Sequence, residues 1–320
     1  MNERLAVYGW IEQYALDAGS ARRLMKIASL DGEPAGFRRR LWIGVAVLAA
    51  ALGGLGVLLW IAANWAELGR MGRFALLQVL LAVMCAGAAL QPRARVPLAL
   101  VALLTIGALF AYFGQTYQTG TDPWQLFVLW ALLGVPLGLA VRSDVVWAPW
   151  ALVASVGIAL WMHAHTGYRW RAESRELPVF VAAWSASLLL VAALGPVSAG
   201  VTGAGAWALR TAGTCSVILV SFTGLAALFA ADIAPQYGVA LLVLALAAAA
   251  LAFSRWFDLF LLSAVGLGLD TLLVGGLAHL LFRSARPGDE VGRFLLLGLA
   301  AAGLLAATVT FVVRAARRHA

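Results

Sequence analysis

The chain has 320 residues, 63% of them hydrophobic and 12% charged. A soluble domain is roughly 45–50% apolar with about a quarter of its residues charged, so this composition excludes one. A spanning helix takes about 20 apolar residues, and the apolar total is enough for about ten. The expected class is therefore all-α: a polytopic transmembrane helical bundle of about ten spans behind a short N-terminal cytoplasmic helical hairpin.

The net charge of +8 comes from 23 basic against 15 acidic residues. All the basic residues except Lys26 are arginines, and their clusters flank apolar runs. That pattern fits membrane topology better than nucleic-acid binding, since no recognition module accompanies it. Cys85 and Cys215 sit inside apolar segments without metal-ligand spacing and read as small packing residues. Residues 1–40 hold no apolar run of the kind a secretory signal needs.

Residues 1–40 read as a cytoplasmic unit of two short helices, 3–16 and 20–30, divided by Asp17-Ala18-Gly19-Ser20, with Ser20 as the second helix's N-cap. Leu5, Tyr8, Ile11 and Tyr14, with Leu24, Ile27 and Leu30, suggest a face buried against itself, the membrane surface or a partner of residues 1–30. Arg38, Arg39 and Arg40 then abut the first span, where anionic lipid headgroups are the expected partners.

The bundle, 41–320, divides into spans at 41–63, 73–90, 96–115, 124–141, 145–162, 178–195, 209–231, 237–253, 257–281 and 292–313. Pro97 and Pro136 are candidate kinks or helix ends, and Gly200 to Gly205 is a candidate re-entrant piece or an extension of the seventh helix. This division places most of the arginines on one side, including Arg22, Arg23, Arg142, Arg210, Arg314, Arg317 and Arg318. Both termini are then expected in the cytoplasm. Trp42, Trp147, Trp150 and Trp256 fall at inner ends and Trp60, Trp65, Trp124, Trp161 and Trp170 at outer ends, the depths that indoles prefer. Ala108-Leu109-Phe110 recurs as Ala227-Leu228-Phe229, a thin hint of a parallel repeat.

Few residues carry chemistry. Asp270 lies midway along the ninth span, where an ionised carboxylate costs about 2.5–3.5 kcal/mol even on a lenient scale. It should face the bundle interior, with a partner, a water-filled cavity or a bound proton. It is a candidate coupling or ligand-binding group, or else a tie between two helices. Gly266 and Gly268 allow a neighbouring helix to come close. His279 is nine residues on, and at about 100° per residue it points to the opposite face.

The third span ends in a polar and aromatic segment containing Gln115, Tyr117 and Gln118. With Asn64 and Glu67 after the first span, these residues are candidates for the mouth of a cavity; the alternative is a capping loop around Gly120, Asp122 and Pro123. His163 and His165 lack an apparent third metal ligand. No nucleotide loop, metalloprotease helix, nucleophile elbow or paired-cysteine motif is present, and no cofactor is called for.

The N-terminal hairpin, the Asn64-Trp65 step, the segment Phe113-Gly114-Gln115-Thr116-Tyr117-Gln118 and the Arg142-Ser143 turn resemble bacterial predicted membrane proteins grouped as domain-of-unknown-function family twenty-one fifty-seven. The resemblance covers residues 1–165. It implies a multi-pass protein of the bacterial inner membrane and supplies no activity or catalytic residues. The expected function is transport or flipping of a small or amphipathic molecule. The alternatives are a scaffold or sensor working through the hairpin, or an enzyme on lipid-linked substrates near Arg169, Arg171 and Arg175.

Overall fold

The computed structural model describes residues 3–28, 37–63, 69–117, 120, 122–167, 173–230, 233–254, 256–283 and 290–319. Among them there are helices and turns and no strand. The chain forms two compact units, Met1–Val57 and Leu58–Ala320.

The first unit contains α1 (Glu3–Gln13), α2 (Ala18–Ile27) and the larger part of α3 (Phe37–Ala63). Asp17, not Ser20, caps α2. Its carboxylate accepts from the Gly19 amide at 3.0 Å and the Ser20 amide at 3.4 Å. The reason is positional: a cap must stand before the helix to reach amides in its first turn, and Ser20 already lies inside that turn. Hydrogen bonds from the Ser20 side chain and from the Gly19 and Ser20 amides hold the Asp17 carboxyl below the usual carboxylate range. Among the described side chains of the hairpin, Val7 and Ala21 are buried and Ile11 and Leu24 half-buried, whereas Tyr8, Tyr14 and Ile27, expected on the buried face, are exposed; the Leu5 side chain lies outside the described ones. Leu30 lies outside the described residues.

The second unit continues through α4 (Arg70–Leu90), α5 (Arg95–Tyr117), α6 (Pro123–Val141), α7 (Asp144–His165), α8 (Leu177–Ala193) and the single turn α9 (Ala199–Thr202). It ends with α10 (Ala206–Ala226), α11 (Pro235–Phe253), α12 (Leu259–Arg283) and α13 (Glu290–His319). Among the described residues, nine helices are long and apolar enough to cross a membrane. They fall on nine of the expected spans, and α3 covers the remaining one, 41–63. Pro97 stands in the first turn of α5, where its missing N–H costs nothing, and α6 runs through Pro136 to Val141 without ending.

Helices α4, α5, α6 and α7 pack in sequence, each on the next. Helix α10 then packs against α7, α8, α11 and α12, and α12 also meets α11 and α13. In lipid such contacts depend on close fit, because the solvent is as apolar as the helices. Two indoles show how the fit is made. Trp130 on α6 donates to the Leu103 carbonyl of α5 at 2.7 Å, and Trp150 on α7 donates to the Ala131 carbonyl of α6 at 2.7 Å. Each ring fills the notch left by a glycine: a Cβ on Gly107 would lie 2.3 Å from Trp130, and one on Gly134 would lie 2.7 Å from Trp150. Trp147 is buried and donates to the Thr202 carbonyl at 2.7 Å. Trp147 and Trp150 are thus packing residues of the bundle, not headgroup anchors, because a notch and a carbonyl satisfy both halves of an indole.

The glycine-rich stretch before α10 is a compact turn. Helix α9 stops at Gly203, whose φ of +66° a side chain would strain. Asp144, the first residue of α7, then caps α10: its carboxylate accepts from the amides of Gly205 at 3.0 Å, Trp207 at 2.8 Å and Ala208 at 2.8 Å. The Arg142 guanidinium donates to the Gly200 carbonyl. On the same strip of structure, Arg210 near the start of α10 pairs with Asp258 at 3.0 Å, and Asp258 caps α12 through the Leu261 amide at 2.9 Å.

The two Ala-Leu-Phe runs differ in conformation. Ala108–Phe110 lies inside α5, while Ala227–Phe229 forms a 3-10 turn after α10. The shared tripeptide therefore does not mark equivalent structural positions.

Candidate functional site

Asp270 sits near the middle of α12 and is 8% exposed. Its position on the inward face follows from the cost of charge in lipid. Thr308 on α13 donates to Asp270 Oδ1 at 2.9 Å. Asp270 Oδ2 is buried and has no hydrogen-bond partner.

The two nearby glycines set the distances. A Cβ on Gly266 would come within 2.6 Å of Thr308 Cγ2, so the absence of a side chain there lets Thr308 reach the carboxylate. A Cβ on Gly268 would come within 2.7 Å of Val217 and 2.8 Å of Ser221 Oγ on α10. Ser221 Oγ is itself buried without a partner. Beside the Asp270–Thr308 bond lies a cavity of 230 Å³ between α11, α12 and α13, lined by Ala248, Gly266, Leu269, Thr308 and Phe311 among others. Thr308 gives it one polar wall.

Thr308 is the residue that sequence reading missed. The hydroxyls of Thr271 and Thr310 bond to carbonyls four residues back on their own helices, at 2.7 and 2.8 Å, the usual fate of a helical threonine. The pair Thr308 and Thr310 in an otherwise apolar segment is the only sequence signal, and it does not say which hydroxyl turns away from its own helix.

The candidates at the end of α5 form a different place. Gln115 and Tyr117 lie in the last turn of α5, which packs chiefly on α4, α6 and α7, whereas α12 packs on α10, α11 and α13. Gln115 is exposed. Tyr117 is half-exposed in an aromatic group, its ring 4.9 Å from Phe113 and 6.0 Å from Phe74. Neither lines the cavity beside Asp270. Asn64, Glu67 and Gln118 lie outside the described residues.

The described histidines and basic residues at and after the end of α7 are engaged locally. His165 Nδ1 is 2.8 Å from the Trp161 carbonyl and its ring lies 4.6 Å from the Trp161 ring. His163 lines a separate groove of 380 Å³ between α7 and α10, with Ser155, Met162, Cys215 and Phe222. Arg175 pairs with Glu173 at 2.8 Å, and Gln236 Nε2 donates to the Glu173 carbonyl at 2.6 Å. Arg169 and Arg171 lie outside the described residues. His279 Nε2 is buried and without a hydrogen-bond partner. Among the described residues, no group of three or more histidine, cysteine or acidic side chains is placed to hold a metal ion.

Residues 8–147 match the model of a family described as predicted membrane protein (DUF2157). That segment runs from α1 to the start of α7, so Asp270 and Thr308 lie beyond it. No curated protein matches the chain, and no solved structure does.

Proposed function

We propose that this multi-pass membrane protein is a transporter or flippase for a small or amphipathic molecule, with Asp270 as its coupling or ligand-binding group. The observation that carries the reading is the half-satisfied carboxylate: one oxygen bonded to Thr308, the other buried without a donor. The magnitudes argue against a purely structural role. A carboxylate at mid-membrane costs about 2.5–3.5 kcal/mol on the lenient scale, while an interhelical hydrogen bond returns about 1 kcal/mol. An apolar pair would hold α12 to α13 at lower cost. A residue that weakens the fold in this way is accounted for if it binds or exchanges something, and its partner Thr308, though not Asp270 itself, lines a 230 Å³ cavity that offers that something a place.

The membrane is the bacterial inner membrane in this reading, with both termini in the cytoplasm, as the concentration of arginines on one side supports. Arg38, Arg39 and Arg40 meet anionic headgroups at the start of α3.

The test is reconstitution into liposomes with two probes: a headgroup-labelled phospholipid read by chemical quenching from outside, and an internal pH-sensitive dye. Wild-type protein is expected to accelerate one of them and Asp270→Asn to abolish that acceleration while inserting normally. Equal rates for wild type, Asp270→Asn and protein-free liposomes with both probes would overturn the proposal.

A further inference from the structure

The α1–α2 hairpin carries a surface that its own packing leaves open. On α2, Ala21 is buried and Leu24 and Met25 are half-buried, while Arg22, Arg23, Lys26 and Ile27 are exposed. At about 100° per residue those four side chains share one arc of roughly 140°, opposite the buried side. No acidic residue lies on α2. Asp17, the acidic residue just before α2, is committed to the amides at the opposite end of the helix from Lys26. Trp10 on α1 is 51% exposed and Tyr14, in the turn that follows it, 67%. The Tyr14 amide donates to the Trp10 carbonyl, so the two rings share a side, whereas Tyr8, 58% exposed, is two residues from Trp10 and points about 160° away from it. Basic residues joined to exposed tryptophan and tyrosine are the composition of a surface that rests in the headgroup layer.

Covalent connection favours the same occupant. The chain from Ala28 to Phe37 can span at most about 30 Å, and α3 begins there with Arg38 exposed and continues into an apolar helix. A hairpin held so close to a bilayer samples its surface at high effective concentration, so three basic residues and a few aromatic rings suffice for docking where a free peptide of that composition would bind weakly.

We infer that the α1–α2 hairpin docks on the anionic lipid surface, with Arg22, Arg23 and Lys26 against headgroup phosphates and Trp10 and Tyr14 in the interfacial layer. Docking is a property of the hairpin and does not depend on Asp270.

The experiment is amide hydrogen exchange on the full chain in nanodiscs of phosphatidylcholine alone or mixed with phosphatidylglycerol. Anionic discs are expected to slow exchange across residues 8–27 by about tenfold or more. High salt and the triple variant Arg22→Glu, Arg23→Glu, Lys26→Glu should abolish the slowing, and Trp10→Ala should reduce it. Exchange in α5 and α10 monitors the fold of each variant and should not change. Equal exchange in the two disc types overturns the inference: fast exchange in both leaves the surface for a protein partner, and slow exchange in both that rises with the number of chains per disc assigns it to a second copy.

Discussion

Thr308 on α13 gives its hydroxyl to Asp270 Oδ1 at 2.9 Å, while Asp270 Oδ2, which is buried, receives no donor. The seam between α12 and α13 therefore holds an acceptor in excess, at the depth where an unmet acceptor is most costly.

Removing the donor should make that excess worse. Thr308→Val keeps the shape and leaves both carboxylate oxygens unmet, with an expected loss of about 1–3 kcal/mol. Replacing both partners, Asp270→Leu with Thr308→Val, should recover most of that loss, since an apolar pair has nothing left to satisfy. Thermal unfolding in a mild detergent reads both. Recovery of stability together with loss of liposome activity would separate the chemical role of Asp270 from any role in packing.

Asp144 should be the larger structural determinant, at the start of α10. Its carboxylate accepts three main-chain amides from Gly205, Trp207 and Ala208. Asp144→Ala frees all three and is expected to cost about 2 kcal/mol, at the upper end for a lost helix cap. Amide exchange at the start of α10 should rise well above that at its middle. Unchanged exchange at Gly205 to Ala208 would show that the cap is dispensable.

The glycine notches predict steric sensitivity in an apolar region where alanine is otherwise harmless. Gly107→Ala places a carbon 2.3 Å from the Trp130 ring. The indole must move and give up its bond to the Leu103 carbonyl, for an expected loss of about 1–3 kcal/mol. Gly303→Ala on α13, where a Cβ would meet nothing within 4 Å, is the control and should leave the unfolding midpoint unchanged.

Asp17 gives a pH dependence with a definite sign. Its carboxyl is held below the usual range in the folded hairpin, so the cap's stabilising effect is present above the unfolded carboxylate pKa of about 3.9 and is lost as pH falls through the lower folded value. Exchange-corrected protection of the first turn of α2 should be flat from neutral pH down to the carboxylate range and then drop. Asp17→Ala should remove the dependence and fray that turn at every pH.

Sequence alone settled the class and most of the boundaries. Each helix in lipid must satisfy its backbone within itself, so length and apolar content mark where helices run, and α4 to α13 begin and end close to the polar punctuation on either side. The cost of a charge in lipid is likewise a one-residue property, which is why Asp270 stood out before any neighbour was known.

Tertiary structure decided who meets whom. Thr308 rather than Thr310 reaches Asp270 because Gly266 faces it; Trp147 and Trp150 turn inward because Thr202 and Ala131 offer carbonyls; Asp144 finds its three amides some sixty residues away in the chain. The same reason holds for all of them. In a bilayer every helix is apolar on most of its surface, so partner choice depends on small residues, notches and single hydrogen bonds matched across helices. A match of that kind is a property of two surfaces together and leaves no periodic trace in either one.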